Sequence, residues 1–201
     1  MLPYIPELTY SVDQLIYIGF LCTSPLFFII EGTGLFSFGY SKFANRSASL
    51  ALPSRVGMFI VYFPAIFAYP IIHFMYVKEA TTWHWLCMSF VSLHFTKRVL
   101  EVLFLHKYSG VMNLFSCLMI CSLYTLVSGL CGFVASVRIP TEFLQSNAFQ
   151  PLILTGSIIW LLGQILNFYH HLLLAGLRKG DDTSYKVPQG GLFAWIACPH
   201  Y

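Results

Sequence analysis

The sequence predicts an all-α polytopic membrane protein, a bundle of about five transmembrane helices followed by a C-terminal segment that is re-entrant or incomplete. Two observations support this fold class. The chain is 57% hydrophobic and only 9% charged, whereas ordinary soluble domains carry roughly 25% charged residues. A mean hydropathy of +0.71 over 201 residues also means that a soluble core of this size cannot hide all the apolar surface.

Composition also excludes several classes of function. The net charge of +3 is small and dispersed, so no nucleic-acid partner is expected. The six cysteines lie mostly inside apolar runs and form no Cys-x-x-Cys pair, which indicates small buried side chains without a disulfide framework or a metal site. The chain contains no Gly-x-Gly-x-x-Gly motif, so a Rossmann nucleotide site is not expected.

Five apolar runs are long enough to cross about 30 Å of hydrocarbon. The first is too long and lies too late for a signal peptide, and no basic region precedes it, so we expect it to be retained. Pro25, Pro64 and Pro70 predict kinks. The alternative to five full spans is that one of the shorter helices is re-entrant. The predicted spans are residues 12–31, 56–76, 83–106, 111–136 and 150–175.

Basic residues predict the orientation of these spans, because only lysine and arginine count under the positive-inside rule. One side carries seven of them, whereas the opposite side carries only Lys78 and Arg138. We therefore expect a lumenal N-terminus and a cytosolic tail. The seven are Lys42, Arg46, Arg55, Lys107, Arg178, Lys179 and Lys186.

The third span carries four ionisable groups at helical offsets 0, 3, 4 and 7, so they share one face: His94, Lys97, Arg98 and Glu101. Charges near the bilayer centre cost about 2.5–3.5 kcal/mol each and normally face a bundle interior or a water-filled cavity. One interpretation is a structural Lys97–Glu101 pair, with Arg98 extending to the interface. The other is the polar wall of a buried site.

Further polar groups lie where the fifth span meets water. This span contains Asn167 and His171 and leads to Arg178, and a Pro/Gly turn at 188–193 then sends the chain back toward the bilayer. The arrangement suits a charged ligand at the membrane face. The adjacent pair His170-His171 does not predict zinc, because neighbouring residues on a helix point in different directions and no carboxylate or cysteine joins them.

The spacing of Asn167, His171, Arg178 and Tyr185 before the turn Pro-x-Gly-Gly-Leu-Phe resembles the C-terminal domain of the steroid 5-alpha-reductase family. This family includes very-long-chain enoyl-CoA reductases and polyprenol reductases. The resemblance implies an NADPH-dependent oxidoreductase of the endoplasmic-reticulum membrane, which reduces a C=C bond conjugated to a carbonyl in a lipid. It also implies a set of cofactor-binding residues: Asn167, His171, Arg178, Tyr185, Lys186, Gly190 and Gly191.

The substrate stays open among a steroid enone, an enoyl-CoA and a polyprenol. The pattern Lys-Arg-x-x-Glu-x-Leu-Phe-x-His-Lys from Lys97 to Lys107 is closest to the enoyl-CoA reductases, whereas Pro-Gln-Gly-Gly-Leu-Phe is more like the steroid reductases. The resemblance divides the chain into an N-terminal membrane segment with a cytosolic loop, 1–53, and a reductase-like membrane domain, 54–201. In the family the pattern continues after Cys-Pro-x-Tyr, so we expect a C-terminally incomplete domain that binds NADPH weakly.

Two positions depart from the steroid reductases. The family carries a glutamate two residues before a proline in the second helix and a tyrosine directly after the histidine in the third, where this chain has Tyr62 and Phe95. Tyr62 is the candidate donor to the substrate carbonyl, tuned by His94 or Glu101, and these three form the predicted catalytic set. The alternatives are that Tyr62 only packs or anchors, and that the protein is a non-catalytic membrane paralogue that binds lipid.

Overall fold

The computed structural model describes residues 50–139, 141–144, 146, 149–178, 184 and 186–200, together with Ile29 and Thr33. The chain divides into two compact units, 1–39 and 40–201, and the architecture that follows is that of the second unit. Apart from Ile29, the first predicted span lies outside the described residues. The predicted domain boundary at residue 53 stays a prediction.

The second predicted span is broken into two helices, α1 (Ser54–Tyr62) and α2 (Ala65–Tyr76). The break falls at Phe63-Pro64, where proline removes a backbone donor and crowds the preceding turn. The kink predicted for this span is therefore present at Pro64. Pro70 lies inside α2.

Helix α3 covers Thr82–Leu100 and continues as a π-helical turn, Glu101–Leu105. It begins at a capping box in which Thr81 and His84 satisfy each other's backbone N–H groups. The π-helical turn ends with the His106 N–H donating to the Glu101 carbonyl at 2.8 Å. Such turns are rare and occur frequently at functional sites.

The remaining helices are α4 (Leu114–Phe133), extended by a π-helical turn at Val134–Arg138, then α5 (Thr141–Leu144) and α6 (Phe149–Gly176). The Asn113 side chain caps α4 by accepting from the Phe115 N–H at 2.8 Å. A short 3-10 helix, Gly191–Ala194, follows the Pro/Gly turn.

One feature adds a short sheet to the mostly helical fold that the sequence predicts. Strands β1 (Ala51–Pro53) and β2 (Val111–Asn113) pair antiparallel, with Leu52 opposite Met112. These segments lead into α1 and α4, so the start of both helices lies at one end of the bundle. Pairing satisfies the backbone groups of these two segments beside the packed core. Hydrophobic periodicity does not predict strands as short as three residues.

Among the described residues, three helical stretches are long and apolar enough to cross a membrane: Ser54–Tyr76, which is α1 and α2 together, Leu114–Arg138 and Phe149–Gly176. They match the second, fourth and fifth predicted spans. The third predicted span is helical from Thr82 to Leu105. It carries Lys97, Arg98 and Glu101 and is not one of these three stretches. The total of five spans stays a prediction.

The packed core lies between α1, α2, α3 and α4, where Val61, Ala65, Val102 and Cys117 are fully buried. A hydrogen bond ties two of these helices together, because the Ser128 hydroxyl donates to the Ala65 carbonyl at 2.7 Å. Helix α6 lies outside this core and presents many apolar side chains outward. The polar residues of α3 therefore lie between a rigid core and an outer helix.

Candidate functional site

A buried ionic cluster lies between α3 and α6, centred on Glu101, which is 3% exposed. Its carboxylate lies 3.1 Å from the Lys97 ammonium and 2.7 Å from the Arg98 guanidinium. From α6, His171 Nδ1 lies 3.0 Å from the same carboxylate. Two cations and an imidazole thus surround one acid, which offsets the cost of burying its charge.

Arg98 joins this cluster to Tyr62 on α1. Its Nη2 donates to the Tyr62 hydroxyl at 2.9 Å, and the guanidinium carbon lies 4.8 Å from the centre of the tyrosine ring. Both side chains are buried. Because the phenol oxygen accepts from Arg98, the hydroxyl proton of Tyr62 remains available to a further acceptor.

A second link between α3 and α6 passes through Asn167. The Lys97 ammonium donates to the Asn167 side-chain oxygen, and the Asn167 amide donates to the backbone carbonyl of His200. The C-terminal loop is therefore held against the cluster. Burial, followed by the nearby His171 and Arg98, lowers the pKa of His200, so this ring is neutral at pH 7.

His94 lies one turn away from the cluster and makes a different contact. Its Nδ1 accepts from the Gln164 amide of α6 at 3.0 Å. The ring also packs edge-on against Phe95, which in turn contacts Tyr124. No direct contact between His94 and Tyr62 is found among the described residues.

The adjacent residues His170 and His171 of α6 point in different directions and make different contacts. His170 Nδ1 donates to the Leu166 carbonyl at 2.6 Å, and its Nε2 accepts from the Leu192 N–H at 3.0 Å. This fixes the Pro/Gly turn on α6. Gly191 is needed there because its φ is +53° and a Cβ would lie 2.8 Å from the Tyr169 ring.

Basic residues gather at the end of the bundle where α3 and α6 finish. Arg178 Nη1 donates to the Lys107 carbonyl at 2.6 Å and to the Ser109 hydroxyl at 2.9 Å, while the Lys107 ammonium donates to the Arg178 carbonyl at 2.6 Å. Arg55 reaches the His106 carbonyl at 3.4 Å. Within the described part of the chain, no carboxylate pairs with Arg55, Lys107 or Arg178.

Several predicted site residues meet in the ionic cluster, and others do not. Those that meet are Tyr62, Glu101, Asn167 and His171. Arg178 lies at the basic end, Lys186 is exposed on the tail, and Gly190 and Gly191 form the turn on α6. Tyr185 lies outside the described residues. The link between Tyr62 and Glu101 passes through Arg98, whereas His94 faces Gln164.

Residues outside the predicted set also contact it, among them Arg98, His106 and Tyr124. Arg98 was assigned either to the interface or to a polar wall, and the structure buries it at 9% exposure. The His106 ring packs edge-on against His171 at 4.9 Å, and the Tyr124 ring lies 5.3 Å from that of Tyr62. Helical spacing from Glu101 signals Arg98, but the other two are brought in by the π-helical turn and by α4.

One acid and two histidines lie close enough to be considered as metal ligands. The ligand atoms of Glu101, His106 and His171 all lie within 4.8 Å of one another. The Arg98 guanidinium already contacts two of these residues, at 2.7 Å and 2.9 Å. A metal ion there would be a third cation beside Lys97 and Arg98, and among the described residues Glu101 is the one acid of the cluster, so this geometry does not favour a metal.

The fold and the site together define a helical membrane protein with a buried charged cluster and a basic end. A sequence profile described as 3-oxo-5-alpha-steroid 4-dehydrogenase matches residues 110–201. This match over residues 110–201 confirms the resemblance to the steroid 5-alpha-reductase family that was stated from the sequence.

Individual relatives agree with this placement. A very-long-chain enoyl-CoA reductase of Dictyostelium discoideum is 31% identical over 111 residues, which are 55% of this chain and 35% of that protein. The 3-oxo-5-alpha-steroid 4-dehydrogenase 1 of Rattus norvegicus is 26% identical over 201 residues, 94% of this chain and 72% of that protein. A putative enoyl-CoA reductase of Trypanosoma brucei brucei is 34% identical over 128 residues, 62% and 41%. The chain thus spans about a third of the first relative's length.

Proposed function

We propose that this protein is a membrane oxidoreductase that uses NADPH to reduce a C=C bond conjugated to a carbonyl in a lipid substrate. The observation that carries the proposal is the buried hydrogen bond from Arg98 to the Tyr62 hydroxyl, at 2.9 Å, beside Glu101 and His171. This bond holds the Tyr62 hydroxyl in place as a proton donor in a site shielded from water. The relatives named as steroid dehydrogenases and enoyl-CoA reductases support the same reaction class.

Reduction of a C=C bond conjugated to a carbonyl adds a hydride to the β-carbon. It requires a proton donor at the carbonyl oxygen, where negative charge develops. NADPH supplies the hydride when it is bound. Tyr62 donates its proton to that oxygen, and the Arg98 cation stabilises the negative charge left on the phenol. The enol so formed gains a proton from solvent at its α-carbon and returns its oxygen-bound proton to Tyr62, which leaves the saturated carbonyl and the neutral phenol. Glu101 and His171 hold Arg98 in place. Because these groups are fixed before the reaction, they act without solvent reorganisation.

The donor set at the basic end fits the phosphates of a dinucleotide. Arg178 and Lys107 lie side by side, no carboxylate among the described residues pairs with them, and a guanidinium suits bidentate phosphate contact. Asn167 and His171 belong to the cluster that contains Lys97 and Arg98, beside Tyr62, where the nicotinamide or ribose would be. The proposed cofactor residues remain Asn167, His171, Arg178, Tyr185, Lys186, Gly190 and Gly191.

Tyr62→Phe tests the donor, with Tyr69→Phe as the matched control because both tyrosines are buried on the same kinked span. Removing a transition-state donor lowers kcat by about 10²–10³-fold, with little change in NADPH affinity. We expect that loss for Tyr62→Phe and near-normal turnover for Tyr69→Phe, measured as NADPH oxidation with an enoyl thioester and with an enone steroid. Equal rates in the two variants would remove Tyr62 from the reaction.

A second candidate function is a non-catalytic membrane protein that binds lipid. Phe95 favours it, because this position carries no phenol and the Phe95 ring only packs against Tyr124. Equilibrium binding of NADPH to the purified chain separates the two candidates. A reductase binds NADPH saturably and more tightly than NADH, whereas no saturable binding would support the second candidate.

We propose further that the basic end lies on the cytosolic side of the endoplasmic-reticulum membrane, with the N-terminus in the lumen. The contacts of Arg55, Lys107 and Arg178 around the turn at 106–109 support one shared side. Single cysteines at Ser109 and Ser184 should be labelled in sealed microsomes by an impermeant maleimide, and one at Glu79 should be protected. Labelling of Ser109 and Ser184 from opposite sides would contradict this orientation.

A further inference from the structure

Ser109 lies in the short loop between α3 and β2, residues 106–110, at the basic end of the bundle. Its hydroxyl accepts from Arg178 Nη1 at 2.9 Å, and the same nitrogen donates to the Lys107 carbonyl at 2.6 Å. The Ser109 residue is exposed and belongs to no helix or strand. An enzyme can therefore reach this hydroxyl without unfolding a regular element of the fold.

Three basic side chains meet around this loop, and each comes from a different segment. Arg178 follows α6. Lys107 belongs to the loop itself, and its ammonium donates to the Arg178 carbonyl at 2.6 Å. Arg55, in the first turn of α1, donates to the His106 carbonyl at 3.4 Å. In the described part of the chain no carboxylate pairs with these three side chains, so the loop collects positive charge that no acid neutralises.

A phosphate group on Ser109 would match this charge. Phosphoserine carries about 1.5 to 2 negative charges at neutral pH and three acceptor oxygens, and opposite an arginine cluster it forms one to three charge-assisted hydrogen bonds. The serine oxygen already lies 2.9 Å from the Arg178 guanidinium, so the phosphate oxygens would be within reach of that side chain. The receptor for the modification is therefore present before the modification is made.

We infer that Ser109 is a phosphorylation site whose phosphate is held by Arg178 and Lys107. A protein kinase transfers the γ-phosphoryl group of ATP to the Ser109 oxygen, the hydroxyl proton passes to the kinase, and ADP leaves. Lys107 precedes the serine by two positions, and charge patterns around the acceptor are one means by which kinases select substrates. The cytosolic orientation proposed above puts this loop on the side where ATP and kinases act.

The modification regulates the proposed cofactor site, and this second part of the inference rests on the proposed function. The phosphate on Ser109 occupies the guanidinium of Arg178, which is proposed to bind a cofactor phosphate, and its charge repels a second anion. Phosphorylation therefore weakens NADPH binding. Tyr62 and Glu101 keep their contacts with Arg98 in the ionic cluster, so the proton donor is not affected.

Two forms of one chain test the phosphate contact without any cofactor. Phosphoserine is incorporated at position 109 through an expanded genetic code, and a phosphatase removes the phosphate from half of the sample. We expect the phosphate to raise the midpoint of thermal unfolding in mixed micelles by about 2–4 °C. The rise should disappear in Arg178→Gln, which keeps a hydrogen-bond donor without the charge, and persist in Arg138→Gln, at a cation beside Phe133.

An equal rise in Arg178→Gln, or no rise at all, would overturn the contact. The phosphorylated chain also has to fold, because a held phosphate stabilises the loop. Its failure to fold, when the uncharged variant Ser109→Gln folds, would therefore count against the inference in the same way.

The modification itself is tested on the unmodified protein in sealed microsomes, incubated with cytosolic extract and ATP and then mapped by mass spectrometry. We expect phosphate on Ser109. Thr82, an exposed hydroxyl at the start of α3, is the control and should carry none. Absence of phosphate from Ser109 would overturn its assignment as a phosphorylation site.

Equilibrium binding of NADPH to the two forms tests the regulation. We expect affinity about tenfold lower in the phosphorylated form, with a smaller loss at high salt because exposed charges are screened. Equal NADPH affinity in the two forms would overturn the regulation. An unmodified chain that binds no NADPH would instead contradict the proposed function, and the unfolding midpoints would still decide whether Arg178 holds the phosphate.

Discussion

The two ends of the α3–α6 pair are held by different kinds of contact. At one end Lys97, Arg98 and Glu101 meet Asn167 and His171 through hydrogen bonds and ion pairs. At the other end, aromatic side chains surround a cavity. In a bilayer, apolar contacts between helices gain little over contacts with lipid, so polar bonds and close packing hold helices together. The polar end therefore fixes α6 against α3 more strongly than the apolar end does.

The largest expected effect comes from breaking the polar end at its central acid. Glu101→Gln keeps the shape but leaves the buried Arg98 without its carboxylate, and breaking a buried pair in this way costs about 3–5 kcal/mol. We expect a loss of that size in the free energy of unfolding, measured in mixed micelles. Glu79→Gln, at an exposed acid, is the control and should change stability by no more than about 0.5 kcal/mol.

Gly191→Ala tests whether the Pro/Gly turn belongs to the polar end. The added methyl group would lie 2.8 Å from the Tyr169 ring and 2.9 Å from His170 Nε2, at a φ of +53°. We expect a cost of about 2–3 kcal/mol from overpacking and backbone strain. Faster hydrogen exchange at the Leu192 amide, which His170 protects, would report it. Gly176→Ala, with no atom within 4 Å, should leave that amide protected.

Arg178→Ala tests the basic end as the phosphate site. A hydrogen bond to a charged group contributes about 1.5–3 kcal/mol, so NADPH affinity should fall about tenfold or more while NADH affinity changes little. Isothermal titration measures both cofactors. Arg138→Ala, at a cation beside Phe133, is the control. An equal loss for NADPH and NADH would place Arg178 at the pyrophosphate that the two cofactors share, and unchanged affinity for both would show that Arg178 only anchors the turn that carries Lys107 and Ser109.

The smallest effect is expected at the apolar end. Phe90 stacks on Trp160 at 4.3 Å, and such a pair contributes about 0.5–1.5 kcal/mol beyond area burial. Phe90→Leu should lower the free energy of unfolding by that amount, far less than Glu101→Gln. Phe104→Leu, at a ring that is 81% exposed, is the control. A loss at Phe90 as large as that at Glu101 would contradict the contrast between the two ends.

The sequence by itself determined the helical membrane character, the three apolar helical stretches found among the described residues, and the resemblance to the steroid 5-alpha-reductase family. Hydropathy predicts membrane-spanning helices directly, because a run of about 20 apolar residues in a bilayer has to satisfy its backbone groups within one helix. Spacing also placed Lys97, Arg98 and Glu101 on one face, since helical offsets of three and four fix direction. A kink at Pro64 was also predictable from the sequence, because proline removes a backbone donor and crowds the preceding turn, whereas Pro70 lies inside α2.

Only the tertiary structure decided which residues those charges meet. Residues 70 positions apart, such as His94 and Gln164, come together because α3 and α6 run parallel in register, and no local pattern encodes that pairing. The same packing decided that Arg98 joins Tyr62 to Glu101, and that β1 and β2 meet at one end. Neighbours along a chain follow from backbone geometry, whereas neighbours across a bundle depend on how all the helices pack at once.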